Sequence, residues 1–173
     1  MIFVTVGMQL PFDRLIQAMD RLAPQFGEEV FGQIGETGFE PANMTWTPFL
    51  DGDEFEEKVQ QARVIVSHAG VGSILAAQRN AKPLVILPRR AALHEHRTDH
   101  QMHTVAALKG RRGIVPIGHE SEIAQALKNA HEIDRSKIAA AQASPGLQMA
   151  LKDIIESETE PAFSRRLFGF FSR

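Results

Sequence analysis

Short apolar runs alternate along this chain with longer amphipathic stretches. IFVTVG (2–7) is apolar and β-branched, the pattern of a buried strand. Behind Pro11, the stretch PFDRLIQAMDRLA (11–23) puts Phe12, Leu15, Ile16, Met19 and Leu22 at helical spacing. EVFGQIG (29–35) reads as a second strand closed by Gly35, and a turn-rich segment after it carries a short strand near 46–50. GDEFEEKVQQA (52–62) predicts a helix whose acidic first turn suits the helix dipole. Then come a strand RVIVS (63–67), a helix over 71–80, a strand KPLVILP (82–88) between prolines, a helix over 95–109, a strand GIVPI (113–117) and a helix SEIAQALKNA (121–130). Strands alternating with helices in this way predict a single α/β domain, a parallel sheet flanked by helices with right-handed crossovers.

That domain occupies 1–130, followed by a helical extension over 131–160, which Pro145 and Gly146 break in two, and by a tail over 161–173. In the tail, Phe163, Leu167, Phe170 and Phe171 recur at helix-like spacing beside Arg165, Arg166 and Arg173. This pattern suits a short helix in a membrane interface or docked on a partner.

Composition narrows the class. The 173 residues are 43% hydrophobic and 23% charged, as in an ordinary globular protein. A formal net charge of -2 gives no electrostatic footprint for nucleic acid. With no cysteine, disulfides, thiolate metal sites and cysteine nucleophiles are excluded. No basic segment followed by an apolar core opens the chain, and no apolar run is long enough to span a bilayer, so a cytoplasmic location is expected.

Ligands of open parallel sheets bind beyond the carboxyl ends of the strands. That rule selects four loops: 7–10, 33–38, 67–73 and 89–101. In SHAGVGS (67–73), Gly70 and Gly72 permit close backbone approach, a helix starting near Gly72 directs free N–H groups at the loop, and Ser73 is placed to cap that helix or to meet a phosphate oxygen. His68 adds a ring donor. Spacing alone leaves two readings open, a phosphate cradle and a glycine-rich corner. A nucleophile elbow requires G-x-S-x-G, and here Val71 sits between the glycines; the Gly-Lys-Ser/Thr ending of a Walker loop is absent.

The loop PRRAALHEHRTDHQMH (88–103) concentrates His94, Glu95, His96, Asp99, His100 and His103. His96 and His100 are four apart, as are Glu95 and Asp99, so a helix over 95–109 puts each pair on one face. Histidines at this spacing can ligate zinc, but there is no H-E-x-x-H pattern, and no metal is expected. The preferred reading is a loop-to-helix corner whose carboxylate holds ribose hydroxyls, with Arg89 and Arg90 near a diphosphate.

Taken together, IFVTVG followed by FDRLI, QIG at 33–35, VIVSHAGVGSI, and KPLVILPRR followed by EHRTDHQ resemble the donor-binding subunit of bipartite UDP-sugar glycosyltransferases. The pattern is similar to the nucleotide-sugar-binding, C-terminal half of glycosyltransferase family 28 and most like the bacterial exopolysaccharide type, over residues 1–130. Its eukaryotic relative is the cytosolic subunit that adds the second N-acetylglucosamine to dolichol-linked oligosaccharide. The resemblance implies the Rossmann-like, C-terminal half of a GT-B fold. It also implies a UDP-sugar donor, a membrane-anchored partner subunit that binds the acceptor, a lipid-linked saccharide acceptor, and a place at the cytoplasmic face of the inner membrane. It assigns the diphosphate to Gly7, Gln9, His68, Gly70, Gly72, Ser73 and Arg89, and the sugar or ribose to Gln33, Gly35, Glu95, Asp99, His100 and Gln101. No cofactor is required, since a helix N-terminus supplies the electrostatics, and no Asp-x-Asp metal motif is present.

Two positions depart from the family. Ala76 stands where many relatives carry a ribose-binding glutamate, and Met8 stands where a small polar residue is common. No general base is evident in the chain, which assigns it to the partner. The departures keep a second reading in view, a non-catalytic nucleotide-sugar-binding regulatory protein. A UDP-sugar 2-epimerase fits poorly, since that fold needs two such domains in one chain.

Overall fold

The computed structural model describes residues 1–7 and 10–142. Gln9, the Pro145–Gly146 break and the basic-aromatic tail from Phe163 to Arg173 lie outside the described residues. Six strands, β1 (Ile2–Thr5), β2 (Val30–Gln33), β3 (Thr45–Thr47), β4 (Val64–His68), β5 (Leu84–Leu87) and β6 (Ile114–Pro116), form one sheet. Every pairing is parallel, in the order β3-β2-β1-β4-β5-β6. The helices are α1 (Asp13–Leu22), α2 (Gly52–Gln61), α3 (Val71–Arg79), α4 (His100–Leu108), α5 (Ile123–His131) and α6 (Arg135–Gln142). The predicted alternation is realised, with element ends shifted by a residue or two.

Strand alternation sorts the apolar residues into two cores. Ile2, Val4, Val66, Val85 and Leu87 face α1 and α5, where they meet Leu15, Ile16, Met19, Ile123 and Leu127. Phe3, Ile65, Leu84 and Ile86 face the other way, toward Val59 of α2, Ile74 and Ala77 of α3, and Leu108 of α4. The central strands β1, β4 and β5 are buried on both faces, which is why they read as apolar runs, whereas the edge strand β3 is largely exposed. Of the predicted face of α1, Phe12, Leu15, Ile16 and Met19 are fully buried. Asp51 caps α2 by accepting from the Glu54 amide while Glu54 reaches back to the Asp51 amide, a capping box written in the sequence as D-G-D-E.

One helix departs from expectation. The helix predicted over 95–109 begins only at His100; a single 3-10 turn (Ala91–Leu93) and a left-handed His94, φ 57°, precede it. Consequently neither His96 with His100 nor Glu95 with Asp99 shares a helix face. The Glu95 carbonyl, which a longer helix needs for its first bond, accepts instead from Arg89 Nη1 at 3.2 Å. The Glu95 and Asp99 side chains fold back onto the amides of Arg90 and Ala91.

Lys82 closes the opposite pole of the sheet. It is buried, and its ammonium donates to the carbonyls of Gln60 at 2.5 Å and Ala62 at 2.8 Å, at the end of α2. A cation at a helix C-terminus answers the unpaired carbonyls and the dipole together. Lys82→Met keeps the apolar stem and strands those carbonyls. Urea denaturation is expected to show a loss of about 1–3 kcal/mol, with the circular dichroism spectrum unchanged.

Candidate functional site

The chain leaves β1 toward β2 and returns on the far side through β4, so the turns after β1 and β4 part at the centre of the sheet. This is the topological switch point, where parallel sheets open a crevice. The register sets three polar residues abreast beneath it, Thr5 opposite Gln33 on one side and Ser67 on the other. All three are buried. The Thr5 hydroxyl donates to Gln33 Oε1 at 2.7 Å, and Ser67 Oγ reaches the Thr5 carbonyl at 2.8 Å and Ser73 Oγ at 2.8 Å. Gln33 is thereby held by the neighbouring strand. Gly35, at φ 64°, brings the turn after β2 against Val6 and Gly7.

His68 stands between the two central turns. A Cβ on Gly7 would come within 2.8 Å of its ring, and one on Gly70 within 2.1 Å. Its Nδ1 is 3.2 Å from Ser67 Oγ. The ring is neutral: desolvation, then the charges of Arg89 and His96, push its pKa from 6.5 to about 3 against an opposing hydrogen bond to the Thr5 backbone.

Helix α3 opens directly after this ring. Gly70 is its N-cap and no side chain caps it, so Ser73 is not the cap that the sequence suggested. Ser73 lies in the third helical position, buried, with its hydroxyl on Ser67. The N–H groups of Val71, Gly72 and Ser73 have no acceptor within the helix, as at any helix start. Gly72 is exposed, and a Cβ there would meet nothing within 4 Å. The two glycines of the motif thus differ: Gly70 makes room for a side chain and Gly72 faces open space.

Arg89 is turned inward. It is buried, stacks 4.8 Å from the Phe12 ring centroid, and donates to Val6 O at 2.7 Å, Leu10 O at 2.6 Å, Pro11 O at 2.6 Å and Glu95 O at 3.2 Å. Burial pushes its pKa down to about 10 while Glu95 opposes, and it remains a cation. A guanidinium so occupied shapes the turn after β1 from both ends; it does not reach out toward a diphosphate. Gln101 is buried too, accepting from the Arg89 amide at 3.0 Å.

Glu95 is also engaged. Arg14 grips both its oxygens, at 2.7 Å and 2.9 Å, and reaches Glu120 at 2.9 Å. The carboxylate accepts from the Arg90 amide as well. Exposed Asp99 accepts from the Ala91 amide at 2.9 Å. His100 heads α4, half-buried, its ring 6.2 Å from that of His103. Among the described residues, no group of three or more His, Asp or Glu is placed to hold a metal ion.

The structure therefore gathers Gly7, His68, Gly70, Gly72 and Ser73 at the crevice. It places Arg89, Glu95 and Gln101 in the framework that holds the rim loops. Sequence reasoning missed Thr5, Ser67, Phe12, Arg14 and Glu120. A polar residue closing each of two apolar strand runs, Thr5 and Ser67, was the available signal; nothing local pairs Arg14 with residues 81 and 106 positions away.

Residues 1–157 match the glycosyltransferase family 28 C-terminal domain. The chain belongs to this family. It is similar to the "UDP-N-acetylglucosamine transferase subunit ALG13" of Homo sapiens, 29% identical over 112 residues, covering 57% of this chain and 10% of that protein. The Mus musculus protein of the same name is 29% identical over 108 residues, covering 54% and 9%. The chain thus spans about a tenth of the length of these curated relatives. Among solved structures it resembles Os79 from O. sativa, with a TM-score of 0.58 at 17% identity over 90% of this chain and 40% of that one. It also resembles the spinosyn forosaminyltransferase SpnP, with a TM-score of 0.54 at 18% identity over 90% and 39%. At these identities the likeness shows the fold alone, the Rossmann-like half of a GT-B glycosyltransferase.

Lysine cannot span four carbonyls from one plane. Arg89→Lys is expected to cost about 3 kcal/mol in urea denaturation and to raise amide exchange at Val6, Gly7, Leu10 and Phe12. The neutral ring of His68 adds a pH effect. The unfolded chain takes up a proton near 6.5 and the folded ring only near 3, so stability falls as pH drops through that window. The slope from this group approaches about 1.4 kcal/mol per pH unit. The stability difference between His68→Gln and the parent protein is expected to shift by this slope between pH 6.5 and 4.5.

Proposed function

We propose that this chain is the donor-binding part of a two-component glycosyltransferase that moves a sugar from a UDP-sugar to a lipid-linked saccharide in exopolysaccharide synthesis. Family membership supports the reaction class. The observation that carries the reading is the exposed start of α3 at the switch point, with Gly72 in open space. Glycosyl transfer leaves charge on the departing diphosphate. The free N–H groups of Val71, Gly72 and Ser73, with the positive end of the helix behind them, stabilise that charge where it develops. The turn at Gly7 closes the other side, and Gln9 is assigned to the diphosphate on the family resemblance alone. His100 remains on the rim as a contact for the donor sugar.

A membrane-anchored partner subunit would supply the acceptor site and the general base. Two occupied carboxylates favour that division: Glu95 is taken by Arg14 and the Arg90 amide, and Asp99 by the Ala91 amide. Among the described residues, no helix is long and apolar enough to cross a membrane. Association at the cytoplasmic face of the inner membrane would therefore run through the partner, with Phe163 to Arg173 as an added contact.

The test is a titration of UDP, UDP-glucose, UDP-glucuronate and UDP-N-acetylglucosamine, followed by thermal unfolding. Ligand at a hundred times Kd is expected to add about 2.7 kcal/mol, a rise of about 2–5 °C in Tm. Gly72→Ala is expected to fold as stably as the parent and to lose most of this response, because its methyl occupies the anion's approach. No response to any of the four ligands, with or without the partner, overturns the reading. An unimpaired Gly72→Ala response removes the anion from this helix end.

A further inference from the structure

We propose that Arg14 is a positioning residue: through Glu95 it fixes how the stretch 90–100, which carries the donor-sugar contact His100, stands over the crevice. For the sugar this rests on the reading above; the clasp itself belongs to the free protein. From Arg90 to His100 no residue is fully buried, and Leu93, the largest apolar side chain of that stretch, is 50% exposed. Apolar packing therefore does not set where the stretch lies. Polar contacts do.

Three consecutive amides, those of Arg89, Arg90 and Ala91, donate to Gln101 Oε1 at 3.0 Å, Glu95 Oε2 at 2.9 Å and Asp99 Oδ1 at 2.9 Å. These bonds close the stretch on itself, and His100 follows Asp99 directly as the first residue of α4. Closure fixes its shape but not its place on the molecule. Of the three accepting side chains, Glu95 is the one gripped from outside. Arg14 Nε donates to Oε1 at 2.7 Å and Nη2 to Oε2 at 2.9 Å, a two-pronged pair that fixes orientation as well as distance. Nη2 also reaches the Pro88 carbonyl at 3.0 Å, and Nη1 reaches Glu120 beyond β6 at 2.9 Å. All three nitrogens of the guanidinium are thus engaged inside the protein. The guanidinium lies 5.3 Å from the centroid of the fully buried Phe12 ring, at the start of a helix packed on the sheet. So α1 hands its position to the sugar side of the crevice through one side chain. The diphosphate side has separate supports: Ser67 holds Ser73 of α3, and Arg89 holds the turn after β1.

That separation gives the test. Kd is measured for UDP and for whichever of UDP-glucose, UDP-glucuronate and UDP-N-acetylglucosamine binds the parent protein most tightly. Arg14→Met is expected to leave the Kd for UDP unchanged and to weaken the UDP-sugar about fivefold, the effect of one lost hydrogen bond. Equal weakening of both ligands, as general destabilisation produces, overturns the proposal, and so does no change in either. Because Arg14→Met strands the Glu95 carboxylate, the same ratio of UDP-sugar to UDP affinity is also read in Glu95→Ala and in the double variant, which lacks the stranded charge. Once Glu95 is gone, Arg14→Met is expected to add little. Additive effects show that Arg14 does not act through Glu95 and overturn the proposal. In the free protein, Arg14→Met is expected to raise amide exchange at Arg90 and Ala91 by more than at Val66 and Ile86 in the sheet. A rise no larger than theirs overturns the clasp. If the parent protein binds none of these ligands, the proposed function falls, while amide exchange still decides the clasp.

Discussion

The guanidinium of Arg89 lies inside the rim and bonds to the carbonyls that flank the turn after β1, namely Val6 before it and Leu10 and Pro11 after it, and to Glu95 of its own loop. The carbonyls of Val6, Leu10 and Pro11 all accept from this one side chain. Five N–H groups in one plane, backed by the Phe12 ring, serve them in a way no set of separate donors does. The Glu95 carbonyl, at the predicted start of the helix that begins only at His100, is one of the four that Arg89 holds. Gln101 is fixed on the Arg89 amide.

A second layer of polar contacts lies beneath. Thr5, Gln33 and Ser67 lie abreast near the ends of three adjacent strands and satisfy one another where apolar residues would leave nothing to hold the turns. Buried polar networks of this kind rigidify when every member is paired. Arg14 adds an outer clasp, from α1 to Glu95 and Glu120, with the Arg14 cation reinforced by hydrogen bonds to both carboxylates. Burial raises the Glu120 pKa, yet Arg14 outweighs this and holds it below the usual carboxylate value. The crevice is thus bounded by loops that brace each other as well as by the helices behind them.

The fold was legible because burial on both faces writes strands as continuous apolar runs, and because IFVT, VIVSH and LVIL do so plainly. The glycine turn was legible as a site for the same local reasons. The roles within it were not. Histidine, arginine and glutamate near a strand end look alike whether they face a ligand or a carbonyl, and only packing across long sequence separations tells them apart. Arg89 and Glu95 were read as ligand contacts because their partners, Val6 and Arg14, lie more than 80 positions away. Ser73 looked like a cap because serine is a good one; the actual N-cap is Gly70, with Ser73 drawn inward to Ser67.

Two glycines separated by one valine answer to different constraints. Gly70 is required by a neighbour inside the molecule, whereas Gly72 borders only solvent in the folded chain. A descendant of this sequence that abandoned its chemistry but kept its architecture would therefore be free to drift at Gly72 and not at Gly70. A residue change at one glycine of the motif records the history of the occupant; at the other, it records the history of the fold.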